Sequence, residues 1–212
     1  MTKPHYWDDA TQWLAGRDPV LGKLIAAYPG LHLTRRGDPF TTLARAIVGQ
    51  QISVKAAQSI WQRVLAACAA TAPGARLDPA RVARKRVATL RACGLSERKA
   101  EYIRDLAKHF VSMRLDPDAW PALDDEALIE ALVDVKGIGR WTAEMFLMFH
   151  EMRADVLPVD DIGLQKAVAM HYFDGQRLSL AELRTFGEQW RPFRSVATWY
   201  LWRSLDPIPV EY

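Results

Sequence analysis

Apolar residues recur at three- and four-residue spacing along nearly the whole chain, and no stretch combines strict alternation with β-branched enrichment. Residues 6–15 and 18–28 show the helical period first, and Pro29-Gly30 closes the second of them. Asp38-Pro39 opens a strong helix, an acidic cap followed by proline in the first turn, with Leu43, Ile47 and Val48 on one face. It runs into Gly49-Gln50-Gln51-Ile52-Ser53, where Ser53 caps a helix to Ala70 that carries Val54, Ala57, Ile60, Trp61, Val64 and Leu65 inward. Residues 71–79, with Pro73, Gly74 and Pro79, read as a loop and a lobe boundary. A short basic helix is expected from Arg81 to Arg91, closed by Cys93-Gly94, and a longer one after Ser96 with Tyr102, Ile103, Leu106 and Phe110 inward. The charged face of the latter suits either solvent or a polyanion. Further helices are predicted from Asp124, from Arg140 to about Glu151, over Asp160–Phe173 and Ser179–Trp190, and from Ser195 to about Leu205. The pattern predicts an all-α protein of about ten helices in two lobes with a central cleft. One lobe is expected to span 38–135, the other the N-terminal segment with 136–212, together one unit of 212 residues.

Composition narrows the class. Half of the chain is apolar and 25% charged, so a real core forms and disorder is excluded. A net charge of +3 permits a nucleic-acid partner without requiring one. Two cysteines, Cys68 and Cys93, are too few for a disulfide framework, a four-cysteine zinc site or a four-cysteine iron–sulfur cluster. The first residues hold no basic and then apolar leader, and no long apolar run suggests a membrane span, so a soluble, intracellular protein is expected.

The richest stretch is Leu132 to Asp161. Gly137 and Gly139 are expected to allow positive φ and a close backbone approach, and Gly139 leads into a helix whose first N–H groups point outward. Such a turn binds phosphate oxygens through main-chain donors without reading sequence; GxG alone reads first as an ordinary glycine-capped helix end, and Ile138 between the glycines with an apolar helix on each side favours a packed hairpin. A helix from Arg140 to Glu151 is roughly 18 Å long. The segment 152–160 can extend to ~30 Å, enough to return Asp161 to the neighbourhood of Trp141. Asp160 and Asp161 then stand together at a helix start. Asp160 is expected to cap the backbone and Asp161 to face the cleft, although spacing alone does not rank the two.

Several blocks together carry a resemblance. They are Phe40-Thr41-Thr42-Leu43-Ala44-Arg45-Ala46-Ile47-Val48-Gly49-Gln50-Gln51-Ile52-Ser53, Gly94-Leu95-Ser96 with Lys99, and Val135-Lys136-Gly137-Ile138-Gly139-Arg140-Trp141-Thr142-Ala143, followed by Leu157-Pro158 with Asp160-Asp161 and by Trp190-Arg191-Pro192-Phe193-Arg194-Ser195. In this order they resemble the helix-hairpin-helix DNA glycosylase superfamily, within it the alkylated-purine (3-methyladenine, AlkA-like) branch. The chain looks like a compact form of that branch without its N-terminal α/β lobe.

The resemblance implies a base-excision repair enzyme that flips a damaged nucleotide from duplex DNA and hydrolyses its N-glycosidic bond. Asp161 matches the catalytic aspartate, expected to stabilise an oxocarbenium-like sugar, to help activate water at C1′, or both. Trp141 and Trp202 match aromatic pocket positions, whose electron-rich faces attract a cationic methylated purine such as 3-methyladenine or 7-methylguanine. Met145 falls where the branch offers a tyrosine. Gln51 stands where the family places the residue that fills the gap left by the flipped base; the lesser alternative is a surface glutamine at a helix junction. Gly137, Gly139, Arg140 and Thr142 match the DNA-gripping hairpin. Related lyases carry a lysine where this chain has Trp141, which implies a monofunctional enzyme. No cofactor is required and no iron–sulfur cluster is implied; a Na+ or K+ ion on the main-chain carbonyls of Val133, Val135 and Ile138 is a family feature. The partner implied is double-stranded DNA with alkylated bases, met by a monomer. A non-catalytic helix-hairpin-helix binding module and a bifunctional glycosylase/lyase are the rival readings.

Overall fold

The computed structural model describes residues 3–35, 37–70, 72 and 76–205, and among these there is no strand. Twelve α-helices follow one another: α1 Trp7–Arg17, α2 Pro19–Ala27, α3 Pro39–Gly49, α4 Val54–Ala67, α5 Pro79–Ala83, α6 Val87–Ala92, α7 Glu97–Val111, α8 Asp125–Val133, α9 Arg140–Phe149, α10 Ile162–Tyr172, α11 Leu180–Gly187 and α12 Arg194–Leu205. Short 3-10 turns at Trp120–Ala122 and Glu188–Trp190 precede α8 and α12. No described helix is long and apolar enough to cross a membrane.

Helix starts are set by short polar side chains. Asp18, Asp38, Ser53, Asp78, Ser96, Asp124 and Ser179 each accept a main-chain N–H of the first turn that follows them, and proline stands in the first turn of α2, α3 and α5. Ser179 and Glu182 close a full capping box. The expected single helix over Arg81–Arg91 is instead α5 and α6, parted where Arg86 turns extended at φ −70° and ψ 143°. Arg84, Lys85 and Arg86 are consecutive like charges with nothing apolar to bury, so a break there costs little and lets Val82 and Leu90 each pack fully.

The helices form two compact units, one of the residues up to Arg35 with those from Leu147 onward, the other of the residues between them to Phe146. The division therefore falls inside α9, not at 135/136, because Phe146 still packs edge-on against Trp120 at 5.5 Å. Residues 71–79 do not separate the units; Pro73 and Gly74 lie outside the described residues.

In the first unit Trp7, Leu14, Leu21, Leu164, Val168 and Trp190 make the core. Asp18 is buried at its centre: it caps α2 and also accepts the Tyr172 hydroxyl at 2.7 Å and the Trp190 indole N–H at 3.0 Å. A buried carboxylate is tolerable only when so satisfied. The second unit is threaded by an edge-to-face chain, Phe40 to Phe110 at 5.3 Å, Phe110 to Trp120 at 6.1 Å and Trp120 to Phe146.

Candidate functional site

In the second unit, α8, the turn 134–139 and α9 form the hairpin. Gly137 adopts φ +86°, and a Cβ placed there would stand 2.1 Å from Cδ2 of Tyr102, so the Tyr102 ring lies flat against a bare backbone. Gly139 does not take positive φ and has open space around its Cβ position, so only one of the two glycines is required by conformation. Four of the turn's amides are already used: Asp134 N–H donates to the Glu130 carbonyl at 3.3 Å, Val135 N–H to the Leu132 carbonyl at 3.2 Å, Lys136 N–H to Asp105 Oδ2 at 3.0 Å and Ile138 N–H to the Val135 carbonyl at 3.1 Å. His109 completes the brace, its Nε2 3.1 Å from Asp134 Oδ2.

The Arg140 guanidinium forks onto Glu126 of α8 at 2.9 and 2.5 Å, while Nε reaches Glu144 of α9 at 3.0 Å. The Glu126 bond pushes Arg140 well above its ordinary range. The side chain thus ties the hairpin's two helices together. Trp141 and Thr142 are half-buried, Met145, Val135 and Ile138 are buried, and Val133 is exposed. Gln51 is exposed on the loop between α3 and α4, with its backbone in the left-handed region at φ +57°.

Asp161 lies in the first unit, and there the cap assignment is reversed. Asp161, not Asp160, is the N-cap of α10: its Oδ1 accepts the Leu164 N–H at 2.7 Å, and its carbonyl accepts Gln165 N–H at 3.0 Å. Asp160 is exposed. The tight turn after Leu157, with Asp161 N–H on the Pro158 carbonyl at 2.9 Å, leaves Asp161 at φ −74° and ψ 118°, the geometry of a residue half inside a helix. The same Oδ1 accepts the Trp202 indole N–H at 2.8 Å. The carboxylate is only 9% exposed and held by donors from α10 and α12.

Two residues of this site escaped the sequence reading. Phe149 lies parallel to Trp202, 9° between planes and 5.9 Å between centroids, and follows Trp141 and Met145 on α9 at the four-residue spacing that could have revealed it. Gly163 is the other. A Cβ on it would approach Asp161 Oδ1 to 3.0 Å and Trp202 Nε1 to 3.1 Å, so its bareness admits the indole to the carboxylate. The structure thus brings Asp161, Trp202, Phe149 and Gly163 together in one unit; Gln51, the hairpin, Trp141 and Met145 belong to the other.

The model of the HhH-GPD superfamily base excision DNA repair proteins matches residues 44–192. The chain belongs to this superfamily. Within the HhH-GPD proteins its relatives lie in the 3-methyladenine glycosylase branch: it is 34% identical to DNA-3-methyladenine glycosylase 1 of Schizosaccharomyces pombe, over 87% of this chain and 80% of that one. It is also 34% identical to DNA-3-methyladenine glycosylase 2 of Escherichia coli, over 91% of this chain and 67% of the relative. Among solved structures the DNA-3-methyladenine glycosidase of Bacillus halodurans superposes with a TM-score of 0.84 at 36% identity, covering 93% of this chain and 89% of that one. The Schizosaccharomyces pombe enzyme in complex with abasic-DNA gives 0.78 at 29% identity, covering 95% of this chain and all of that one (100%). The all-helical fold and the resemblance read from the sequence are both upheld.

Proposed function

We propose that this HhH-GPD protein is a monofunctional DNA glycosylase that removes alkylated purines of the 3-methyladenine and 7-methylguanine type from duplex DNA. The observation that carries the reading is the Asp161 carboxylate, buried and fixed by two N–H donors on one oxygen. Asp18 is a buried, capped carboxylate with a purely structural role; what favours chemistry at Asp161 is that this group also stands after Leu157-Pro158, at the position that matches the superfamily's catalytic aspartate.

In the proposed reaction the purine, cationic through its methyl group, is a good leaving group. The C1′–N bond breaks with its electron pair going to the base, which becomes neutral. Positive charge passes to the sugar, and Asp161 stabilises it. Water then adds at C1′ and loses its proton to solvent, leaving an abasic site. Trp141 and Trp202 supply aromatic faces for the cationic base, with Met145 beside them in sequence phase on α9. With tryptophan and not lysine at 141, no amine stands ready for a Schiff base, which supports hydrolysis without strand cleavage.

Gln51 is assigned to the gap left by the flipped nucleotide. The main-chain N–H groups of Gly137 and Gly139 and the start of α9, including Thr142, are assigned to the phosphate backbone. Arg140 contributes there only through its main chain. The carbonyls of Val133, Val135 and Ile138 come from a helix end and the turn after it; such neutral oxygen donors fit a hard monovalent cation, and Na+ or K+ is assigned to them. Nothing in the chemistry calls for a further cofactor. The enzyme is proposed to act as a monomer, within the cell where DNA is.

The deciding experiment incubates methylated duplex DNA with the protein and with Asp161→Asn. Free methylpurine is expected from the first and not from the second, at similar DNA affinity. Full activity in Asp161→Asn would remove the mechanism, and binding without any base release would leave a recognition module.

A further inference from the structure

Lys99 begins α7 on the same helix face as Tyr102 and, a turn further on, Asp105. Its ammonium donates to two carbonyls at the end of α3, that of Val48 at 2.9 Å and that of Gln50 at 2.6 Å. Those carbonyls are the negative end of the α3 dipole, with no helical partners of their own to follow. Gln50 then leaves the helix at φ −54° and ψ 130°, and its side chain donates Nε2–H to the Gly137 carbonyl at 2.9 Å. The next residue is Gln51, in the left-handed conformation that is strained for a non-glycine residue and persists only when its surroundings impose it.

Three segments are therefore tied pairwise. Lys99 ties α7 to the Gln50-Gln51 loop, Gln50 ties that loop to the hairpin, and Tyr102 and Asp105 tie the hairpin to α7. A closed triangle of this kind fixes the distance from the hairpin turn to the tip of the Gln51 loop. We propose that Lys99 and Gln50 are positioning residues that hold Gln51 in register with the hairpin, so that the grip on the phosphates drives Gln51 into the base stack. Partial burial lowers the affinity of the Lys99 amine for its proton, as expected for a cation that serves carbonyls rather than solvent. The inference rests on the reading of Gln51 as the gap-filling residue.

The test uses Lys99→Met, which keeps the stem and loses the donor, and Gln50→Met, which cuts the second tie. Each is assayed in single turnovers on a methylated base within an intact duplex and on the same base opposite a one-nucleotide gap, where no partner base needs filling in. A 2-aminopurine beside the lesion reports unstacking. Both variants should slow excision from the intact duplex on the order of 10–100-fold, as small misplacements do. They should also lose the 2-aminopurine signal, and should spare the gapped substrate. Adding Gln51→Ala to either should cost nothing more, because the tie and the wedge act as one unit. Equal slowing on both substrates, or additive losses, would overturn the proposal as merely structural, and if Lys99→Met does not fold, Gln50→Met decides alone. Gln51→Ala separates the two layers: full activity in it would sink the wedge reading itself, whereas a slow Gln51→Ala beside normal Lys99 and Gln50 variants would sink only the positioning role.

Discussion

Trp202 gives its indole N–H to Oδ1 of Asp161 at 2.8 Å, so the side chain proposed as a wall for the base also anchors the carboxylate. Its parallel contact with Phe149 holds the ring from the side, so the indole has little freedom to tilt away. Trp202→Phe keeps an aromatic face and deletes only the donor. Excision of 7-methylguanine should then fall on the order of 10–100-fold in single turnovers, with duplex affinity near that of the parent. An unchanged rate would show that the Leu164 amide alone suffices to hold Asp161.

Gly163→Ala tests the same contact from the other side. Gly163 stands in the first turn of α10, where alanine suits the helix at least as well as glycine, so thermal stability should change little. The new methyl group, however, meets Asp161 Oδ1 at 3.0 Å and Trp202 Cδ1 and Nε1 at 3.1 Å, and one of them must give way. Activity should drop on the order of tenfold while the melting temperature does not, a split that loss of folding cannot produce.

These two residues also mark where the sequence stops being informative. Caps and apolar periods are local, so Asp38, Ser53, Ser96, Asp124 and Ser179 announced their helices correctly. The hairpin was legible for the same reason, and the joint blocks named the family. Asp160 and Asp161 could not be ranked because their difference arises from the turn at Pro158 and from Trp202, 41 residues away. Gly163 gave no local signal, and Tyr102 read only as an inward position of its helix: each matters through the atom it faces on another segment. The tie that Arg140 makes between Glu126 and Glu144 was likewise not legible, because Glu126 stands fourteen residues away on the other helix of the hairpin.

The two hairpin glycines should behave unequally. At Gly137 an alanine meets the Tyr102 ring at 2.1 Å in a left-handed conformation, and destabilisation of about 2–5 kcal/mol is expected from strain and overpacking together. At Gly139 the space is open and φ is ordinary, so Gly139→Ala should stay within about 1 kcal/mol. Chemical denaturation of the two variants checks this directly. Similar losses would mean that the Tyr102 contact with Gly137 is not what fixes the turn.

Glu151 makes stability depend on pH. It sits just after α9 with its carboxylate mostly buried, Arg35 at 3.5 Å and His150 at 3.6 Å. Arg35 also lies 3.3 Å from Nε2 of His150. Burial pushes the Glu151 carboxyl above its ordinary range, and the charges of Arg35 and Arg153 hold it back only in part. The folded chain thus keeps this proton more tightly than the unfolded chain, whose glutamate titrates near about 4.3. The stability it contributes is complete below that value and is lost as pH rises through the raised folded one. Glu151→Gln stays neutral throughout, so at neutral pH it should melt above the parent, and the gap should close in mildly acidic buffer. If the variant instead melts lower at neutral pH and the deficit closes on acidification, the ion pair with Arg35 outweighs the cost of burial. With the Arg35 side chain 54% exposed, solvent screening makes that the less favourable balance.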